Sequence, residues 1–478
     1  MPAPDAKLLG QLRGVVGPAG VVDEPAAMAP YLRDYRGLYL GAAPLVLRPA
    51  STAEVSRILA LCDAARVGVV PHGGNSGYCG GAQPDASGTQ IVLSLARLNR
   101  VRAVEPLNYS ITVEAGCILA NVQQAAAAAD RYFPLSLGAE GSCQIGGNLS
   151  TNAGGTAVLR YGMARDLVLG LEVVLADGRV LSTLGSLRKD NTGYDLNSLF
   201  VGAEGTLGVI TAATLKLFPR IAASATAFIA IPHIDAAIDL LAALRAASAD
   251  RLTACEVMAR SALELVTRHI PGTGDPFDTA HPWYLLVELQ SAQSGEPLEG
   301  VLEQVLGHAL EAGQVIDAVI AKSGAQRAAF WKLRESIPEA LAAEGAQIKH
   351  DISVPIAAMP AFHAEAGPWI LAQAPGARLV PFGHIGDGNL HYNVSQPPGG
   401  DGRAFLARSA AIEHGVHDIA HRHGGSFSAE HGIGRLKVGE LERYTSPVTL
   451  SMMRAIKHAL DPNGIMNPGK LLTMAAKP

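Results

Sequence analysis

The order of strands and helices between residues 224 and 320 constrains the fold of this chain most strongly. Hydrophobic periodicity predicts strands at 227–231, 252–258, 283–289 and 316–320, and helices at 236–248 and 298–310. This β-α-β-β-α-β order is typical of the ferredoxin-like split motif, an antiparallel sheet with helices on one face. Between the second and third strands, Arg268 and His269 are predicted to end a short helix, where basic side chains are favourable.

A separate domain is predicted before residue 220, because the 478 residues exceed the roughly 250 to 300 that one hydrophobic core holds. Ser51 and Glu54 form a capping box that predicts a helix after them. Further strands are predicted at 67–70, 90–95, 110–114, 167–176, 179–182 and 213–218, the fourth and fifth joined as a hairpin at Asp177-Gly178. The last of these alternates polar and apolar residues, and Pro219 closes it.

Two glycine-rich segments indicate close approach of the backbone to a ligand. PHGGNSGYCGGAQP, at 71–84, follows a predicted strand, and its glycines let successive N–H groups turn towards one point, an anion nest suited to a pyrophosphate. The segment at 134–155 is predicted to be a loop wrapped round a polar ligand. No GxGxxG opens a helix after a strand, and 464–470 matches the Walker spacing but lacks both the hydroxyl and the preceding strand. Neither a Rossmann fold nor a P-loop is therefore supported.

Composition excludes several classes of partner. The net charge is −5 and charged residues make up 17% of the chain, so no basic excess indicates nucleic acid or an anionic membrane surface. A small anionic substrate would need local positive charge instead. The cysteines are scattered without metal-site spacing, which is typical of free buried thiols in a reducing compartment. No run of about 18 apolar residues occurs, so a soluble, cytoplasmic protein without a membrane span is expected.

The segment PFGHIGDGNLHYNV, at 381–394, carries the clearest indication of a reactive site. His384 and His391 flank a Gly-Asp-Gly-Asn turn, so two short strands would bring both imidazoles to one end. Glu430 follows within SAEHG, and two imidazoles with one carboxylate are typical of a catalytic zinc with open positions. Non-haem iron uses the same ligand types, so the residues alone leave the metal open. A zinc hydrolase, with the glycine-rich segments as structural turns, is also compatible with this set.

Six motifs in a fixed order resemble the FAD-linked oxidase and dehydrogenase family of the vanillyl-alcohol-oxidase fold. They are PHGGNSGYCGGAQP, GAEGSCQIGGNLSTNAGG, VGAEGTLGVIT, HIGDGNLH, SAEHGIG and DPNGIMNPGKLL. The resemblance covers nearly the whole chain. HIGDGNLH followed by SAEHGIG makes it most similar to the D-2-hydroxy-acid dehydrogenases of that family.

The resemblance implies a bound FAD. Carried over residue by residue, it assigns the pyrophosphate to Gly73, Gly74, Asn75, Ser76, Gly77 and Tyr78. It assigns the ribityl chain and isoalloxazine ring to Pro134, Ser142, Gly147, Asn148, Thr151 and Asn152, the adenine to Ile210, and a further flavin contact to Asn467. Members that attach FAD covalently through the first segment have His at the position of Asn75, so a non-covalent FAD is implied.

The resemblance also implies the expected fold class and domain limits. The class is α+β, with a vanillyl-alcohol-oxidase-type FAD-binding domain at 1–220 and a ferredoxin-like substrate-binding cap at 221–425. A helical C-terminal segment at 426–478 is expected to complete the active site and to pack on the FAD domain.

The implied chemistry is metal-assisted oxidation of a D-2-hydroxy acid to the 2-oxo acid, with hydride transfer to flavin N5. His384, His391 and Glu430 match positions that bind zinc in the resembled dehydrogenases. His431 matches the base, and Asn393 is expected to hold the substrate by hydrogen bonding.

Arg334 and Lys349 match positions that bind substrate carboxylates, and a guanidinium grips a carboxylate through two parallel hydrogen bonds. Arg334 lies at 330–335, a stretch predicted to begin a helix. D-2-hydroxyglutarate is the expected substrate, but Pro338 stands where members acting on that diacid have a hydroxyl. D-lactate or another D-2-hydroxy monocarboxylate is therefore the alternative; Pro338 favours it and Lys349 opposes it.

The electron acceptor is expected to be separate from the chain. The sequence has no iron-sulfur cysteine pattern, haem motif or nicotinamide fingerprint, and the family suggests an electron-transfer flavoprotein, with a quinone as the other candidate. A homodimer is the default expectation, since two-fold dimers are the commonest assembly. A flavin-binding protein without catalytic activity is the remaining alternative.

Overall fold

A computed structural model of the protein describes residues 1–473 and divides them into two compact units. The first unit comprises Met1–Gly155, Gly162–Arg220 and the described part of Glu430–Pro478. The second comprises Thr156–Tyr161 and Ile221–Ala429. This division differs from the predicted domain limits in assigning Thr156–Tyr161 to the second unit and in entering the last segment at Glu430. Among residues 1–473, no helix has the length and apolar character that crossing a membrane requires.

The strands and helices are numbered in chain order. The strands are β1 (Val21–Val22), β2 (Val46–Leu47), β3 (Val69–His72), β4 (Ile91–Ser94), β5 (Val101–Glu105), β6 (Ser110–Glu114), β7 (Arg131–Tyr132), β8 (Val168–Val174), β9 (Val180–Ser182), β10 (Val209–Lys216), β11 (Phe218–Pro219), β12 (Ala223–Ile231), β13 (Leu252–Ala259), β14 (Trp283–Ser291), β15 (Asp317–Ile320), β16 (Gln347–Ile348), β17 (Asp351–Ser353), β18 (Arg378–His384) and β19 (Asn389–Ser395). The helices are α1 (Ala6–Val16), α2 (Pro25–Leu32), α3 (Thr52–Ala65), α4 (Leu119–Ala128), α5 (Ile145–Ser150), α6 (Val158–Tyr161), α7 (Asn197–Phe200), α8 (Ile234–Ala247), α9 (Arg260–His269), α10 (Leu298–Glu311), α11 (Gly324–Glu335), α12 (Ile337–Ala343), α13 (Met359–Gln373), α14 (Gly402–Leu406), α15 (Ser409–Arg422), α16 (Val438–Tyr444) and α17 (Pro447–Leu460).

The first unit contains a four-stranded sheet, a five-stranded sheet and a two-stranded ribbon. Their strand orders are β1-β2-β4-β3, β5-β6-β10-β8-β9 and β11-β7. The predicted hairpin at Asp177-Gly178 is confirmed, because β8 and β9 pair antiparallel across it. The predicted strand at 213–218 corresponds to the end of β10 and the start of β11. β10 lies between β6 and β8 and is buried along all but its last residue. A central strand covered on both faces cannot be recognised by alternation.

The predicted helix after residue 51 is confirmed as α3. Ser51 caps it by accepting a hydrogen bond from the Glu54 N–H (3.2 Å). The Glu54 carboxylate accepts from the N–H of Ala50 (2.8 Å). In a standard capping box it would accept from the N–H of the N-cap residue itself, which here is Ser51. The prediction that 134–155 is a loop throughout is wrong, because α5 lies inside it. The Gly146 N–H at its start donates to the Ala115 carbonyl (2.7 Å).

The second unit contains an eight-stranded sheet whose first part is the predicted split motif. The order is β15-β12-β14-β13-β18-β19-β16, with β17 also paired to β19. β12, β13, β14 and β15 are antiparallel to their neighbours, and the fourth strand lies beside the first. The sequence order from 227 to 320 therefore predicted this part correctly. The sheet continues because β18 pairs with β13, which the sequence did not indicate.

Helices cover both faces of this sheet. Apolar residues of α8, α10, α13 and α15 pack on one face, and those of α9, α11 and α12 pack on the other. The prediction of helices on one face, made for the split motif, is therefore confirmed for α8 and α10, and α9, α11 and α12 cover the other face.

The helix that carries Arg334 ends near that residue. α11 begins at Gly324, where the Ser323 hydroxyl accepts from the Gln326 N–H (3.2 Å), so the prediction that the helix begins at 330–335 is wrong. Pro338 lies in the first turn of the next helix, α12, and is exposed.

The predicted end of a short helix at Arg268 and His269 is confirmed, since they are the last residues of α9. Glu344 pairs with both of them, at 3.0 Å and 2.5 Å, and with Arg378 of β18 at 2.6 Å. The hydrogen bond from His269, followed by those from the two arginines, lowers the pKa of the Glu344 carboxyl to about 2.

We expect Glu344→Gln to lower the melting temperature at neutral pH, by an amount that disappears in acid. The folded-state pKa lies below the unfolded value of about 4.3, so the carboxylate stabilises the protein above that value. This contribution is lost as the pH falls towards 2. Thermal melts of the variant and the parent across pH would measure it, with Glu339→Gln, a change at an exposed residue of α12, as control. A difference in melting temperature that stays constant with pH would contradict the assignment.

Candidate functional site

The hairpin formed by β18 and β19 places the predicted histidines on one face of the second unit's sheet. His384 pairs with Asn389, and Phe382 pairs with His391, so all four side chains point to the same side. The two imidazole centroids lie 5.6 Å apart. Gly388, in the turn, has φ +86°, and a Cβ there would lie 2.2 Å from the Val354 carbonyl oxygen. The turn therefore requires glycine.

Asn393 belongs to the same face. It is buried, and it pairs with Val380 two positions beyond the pair of His391. Side chains two residues apart in a strand point the same way, so the structure brings Asn393 to the side of the sheet that carries both histidines.

Glu256, which the sequence analysis did not select, lies beside His384. The two residues are paired across β13 and β18. One carboxylate oxygen, Oε1, accepts from His384 Nδ1 at 2.7 Å, and the other, Oε2, accepts from Arg334 at 2.7–2.8 Å. Burial raises the pKa of this carboxyl, but the electrostatic interactions and hydrogen bonds with His384 and Arg334 outweigh it and lower the pKa below its ordinary value.

Arg334 is buried in the last turn of α11, with 6% of its surface exposed. Its Nε and Nη2 both bond Glu256, and its Cζ lies 4.8 Å from the centroid of the Phe382 ring. The guanidinium is therefore fixed by a carboxylate at one edge and an aromatic ring at one face.

Lys349 lies in the two-residue break between β16 and β17, both of which pair with β19. Asp351, directly after the break, pairs with His391, and its Oδ1 is 3.9 Å from His391 Nδ1. The same oxygen accepts from the Asn389 amide at 3.0 Å. The sequence analysis did not select this aspartate, whereas the register gives it a place on the site face.

The two histidines fit the role of metal ligands. A carboxylate only accepts hydrogen bonds, so His384 Nδ1 is the donor to Glu256, which orients the ring as in carboxylate-histidine-metal arrangements. The N–H of Ala429, the last residue of the second unit, donates to the Asp351 carbonyl (3.2 Å). The next residue along the chain is Glu430, the predicted third ligand, with which the first unit resumes.

His431 is held within the first unit by an aromatic neighbour. Its ring stacks on Tyr78 of the first glycine-rich segment, with centroids 4.6 Å apart, and burial raises the pKa of the Tyr78 hydroxyl. Glu430 Oε2 accepts from the Gly155 N–H at 3.3 Å. The predicted base and the predicted carboxylate ligand thus contact segments predicted to bind FAD.

Glu204 fixes the turn that follows His431, and the sequence analysis missed this role. Its two carboxylate oxygens accept from the N–H groups of Ile433 and Gly434, each at 2.7 Å. Burial holds the pKa of the Glu204 carboxyl above its ordinary value, although those N–H groups and Lys437 act in the opposite direction. The signal available in the sequence was a single acidic residue within the otherwise uncharged motif VGAEGTLGVIT.

The two glycine-rich segments lie against each other. A Cβ at Gly74 would lie 2.2 Å from the Ser142 carbonyl oxygen, and one at Gly73 would lie 3.6 Å from the Gly147 Cα. The C-terminal segment joins them, because the Asn467 side chain donates to the Gly81 and Glu204 carbonyls (2.9 and 2.7 Å). Its backbone N–H donates to the Val69 carbonyl of β3 (2.8 Å).

Unsatisfied polar atoms beside these segments fit a polar cofactor. Within the described residues, Gln144 Oε1, Asn148 Oδ1 and Asn467 Oδ1 are buried and have no hydrogen-bond partner. Buried side-chain acceptors are nearly always satisfied, so these three atoms are suited to donors of a bound molecule. The residues present therefore fit the predicted FAD.

Several predicted FAD residues have side chains that bond to the protein itself. Asn75 donates to the Pro30 and Arg33 carbonyls (3.1 and 2.9 Å). Thr151 donates to the Gly147 carbonyl at 3.0 Å. The side-chain oxygen of Asn152, Oδ1, accepts from the Arg165 backbone N–H at 2.9 Å.

Three further residues predicted to bind FAD differ in their exposure to solvent. Ser142 is exposed, and Pro134 is buried. Ile210 is buried in β10 beside β8.

The comparisons with known families and proteins cover nearly the whole chain. Residues 43–184 match the family described as FAD binding domain, and residues 221–471 match the C-terminal domain of FAD linked oxidases. The chain is 38% identical over 473 residues to the mitochondrial D-2-hydroxyglutarate dehydrogenase of Arabidopsis thaliana, covering 98% of this chain and 82% of that protein. It is 40% identical over 448 residues to the D-2-hydroxyglutarate dehydrogenase of Xanthomonas citri pv. viticola, covering 94% and 93%.

A solved structure supports the fold. The structure of p-cresol methylhydroxylase with substrate bound superposes with a TM-score of 0.76 at 17% identity, covering 97% of this chain and 96% of that one. Together with the family matches, this confirms the predicted α+β class with a vanillyl-alcohol-oxidase-type FAD-binding domain.

We expect Glu204→Gln to lower the free energy of unfolding by about 1–3 kcal/mol, the usual cost of leaving a buried donor without a partner. The amide nitrogen of glutamine only donates, so whichever of the Ile433 and Gly434 N–H groups faces it loses its acceptor. Denaturant unfolding would measure the change, with Glu24→Gln, at an exposed residue of the same unit, as control. Equal stability of the two variants would show that the carboxylate does not hold this turn.

Proposed function

Since the chain belongs to the FAD-linked oxidases, in the family of the D-2-hydroxyglutarate dehydrogenases, we propose that it oxidises a D-2-hydroxy acid to the 2-oxo acid. D-2-hydroxyglutarate is the proposed substrate. The observation that carries the proposal is the match to dehydrogenases of that name over 94–98% of the chain. A zinc hydrolase would not account for the FAD binding domain.

We assign FAD to the first unit. FAD, when bound, accepts the C2 hydrogen together with its electron pair. The chain supports it with the facing glycine-rich segments and with the buried acceptors of Gln144, Asn148 and Asn467. A non-covalent FAD is part of the proposal, because Asn75 has no nucleophilic side-chain atom.

We assign a divalent metal, proposed to be zinc, to His384, His391 and Glu430 as ligands. Such an ion, when bound, lowers the pKa of a substrate hydroxyl. The support from this chain is the shared face of the two histidines and the hydrogen bond from Nδ1 that orients the His384 ring.

We assign removal of the hydroxyl proton to His431 and substrate binding to Arg334, Lys349 and Asn393. His431 takes the proton on a ring nitrogen while Tyr78 supports its face. Arg334 binds a carboxylate with the guanidinium edge that Glu256 leaves open, and Asn393 contributes a buried amide on the site face.

D-lactate is the second candidate substrate. Pro338 favours it, because an exposed proline in the first turn of α12 supplies no hydroxyl for a second carboxylate. Lys349 supports the diacid, since its ammonium could balance that charge. A separate electron acceptor, an electron-transfer flavoprotein or a quinone, together with a homodimeric state and a cytoplasmic location, completes the proposal.

Anaerobic reduction of the bound flavin by a panel of acids tests the proposed function. The panel is D- and L-2-hydroxyglutarate and D- and L-lactate. Reduction is measured as the loss of the visible flavin absorbance. We expect D-2-hydroxyglutarate to reduce the flavin at the lowest concentration of the four acids. Preferential reduction by D-lactate would transfer the assignment to the second candidate. Reduction by the L-acids alone, or by none of the four, would refute the proposal.

We expect His431→Ala to slow the anaerobic reduction of the flavin about 10²-fold or more, the usual contribution of a positioned general base. His458→Ala, which changes an exposed histidine of α17, serves as control. Stopped-flow absorbance at saturating substrate would separate this step from reoxidation. A rate within twofold of the parent rate would remove His431 from the role of base.

A further inference from the structure

Glu256 is the one described carboxylate that contacts both a proposed metal ligand and the proposed substrate-binding guanidinium. It lies in the middle of β13 with 1% of its surface exposed. Its Oε1 accepts from His384 Nδ1 at 2.7 Å, while its Oε2 accepts from Arg334 Nε and Nη2 at 2.8 and 2.7 Å. Each oxygen therefore serves a different partner.

These bonds fix the orientation of both partners. A carboxylate has no proton to donate, so His384 Nδ1 carries a hydrogen and Nε2 lies on the side of the ring that faces away from Glu256. Arg334 uses its Nε–Nη2 edge for Glu256, so Nη1 is on the edge that remains for a second carboxylate. Phe382, against the guanidinium face at 4.8 Å, limits rotation of that plane.

Stability alone does not explain a charge at this place. Enclosing an ion pair in a protein costs desolvation that the attraction between the charges often fails to repay, and apolar replacements of similar volume are frequently as stable. The surrounding face is apolar, with Met258 and Phe382 as neighbours of the pair in the sheet. Defined geometry for the two partners is the gain that an apolar side chain could not provide.

We propose that Glu256 is a positioning residue that fixes the metal ligand His384 and the substrate-binding Arg334 relative to each other. The inference rests on the proposed function, which supplies the roles of those two residues. Asp351 is a weaker counterpart, because its Oδ1 lies 3.9 Å from His391 Nδ1.

Glu288 offers a matched control in the same sheet. It is 3% exposed in β14, and it accepts from Arg327 of α11 at 2.7 and 2.8 Å and from the Trp331 indole at 2.8 Å. These two partners lie on the helix that carries Arg334, and the side chains of Thr226 and Gln290 in the sheet also donate to the carboxylate. Glu288→Gln therefore weakens a buried carboxylate pairing on the same helix without touching a proposed metal ligand.

The experiment compares Glu256→Gln with Glu288→Gln in the purified FAD-containing protein. Zinc affinity is measured by competition with a chromophoric chelator, and FAD content and thermal melting are recorded alongside. In Glu256→Gln, an amide that keeps its oxygen towards Arg334 turns its NH2 towards His384, which moves the imidazole hydrogen to Nε2. We expect zinc affinity to fall 10–100-fold, as for other residues that orient a metal ligand, and the KM for D-2-hydroxyglutarate to rise.

The control separates positioning from stability. We expect Glu288→Gln to lower the melting temperature while leaving zinc affinity within twofold of the parent protein. Equal loss of zinc affinity in both variants would overturn the inference, because general loosening of the unit would then explain it. Unchanged zinc affinity in folded Glu256→Gln would overturn it as well.

A second variant covers the case in which Glu256→Gln does not fold. Glu256→Asp keeps the charge but shortens the side chain by one methylene, so it cannot reach both partners at hydrogen-bond distance. Weakened zinc binding in this variant supports the inference, and unchanged binding overturns it. A parent protein that reduces its flavin with substrate but takes up no zinc would refute the metal assignment. Failure of every acid in the panel would refute the proposed function separately.

Discussion

A charged side chain buried within a protein needs hydrogen-bond or ion-pair partners there. In the second unit, two buried carboxylates of this kind fix the position of helix α11. Glu256 and Glu288 lie on the same face of its sheet. Helix α11 supplies partners to both, β18 supplies His384 to Glu256, and β12 and β14 supply Thr226 and Gln290 to Glu288. Apolar contacts tolerate small shifts, whereas hydrogen bonds to a carboxylate weaken steeply with distance and angle. The position of α11 across the sheet, and with it the direction of Arg334, is therefore determined by the carboxylates more narrowly than by the apolar residues around them.

In the first unit, buried charged side chains form hydrogen bonds with backbone groups instead. Glu204 accepts from two consecutive N–H groups after His431. Lys457 of α17 donates to the Thr206 and Met466 carbonyls (2.7 and 2.9 Å), and it is neutralised by Asp461. These side chains gather the last part of the chain around the glycine-rich segments, where a flexible loop alone would leave its polar backbone unpaired.

Local pattern predicted much of this fold, and distant pairing explains what it missed. The split motif and the hairpin with His384 and His391 follow from periodicity and turn residues, which act over a few positions. Glu256 lies in the apolar strand Leu252–Ala259, and its partners are 78 and 128 residues away, so the sequence shows a charge without showing what neutralises it. α5 was missed for a related reason: glycines indicate a loop unless close packing, here of Gly146 against Ala115, requires them inside a helix.

The segment that begins at Glu430 also has a consequence for how the protein is made. β3 lies at the end of its four-stranded sheet, and its outer edge is completed by bonds between Val69 and the segment around Met466. During translation, the whole second unit is synthesised between these two parts of the chain. An unpaired strand edge is a template for association with other chains, so the nascent first unit presents such an edge until the segment after α17 has left the ribosome. Truncation before Met466 would therefore endanger solubility and would also remove Asn467 from the proposed FAD site.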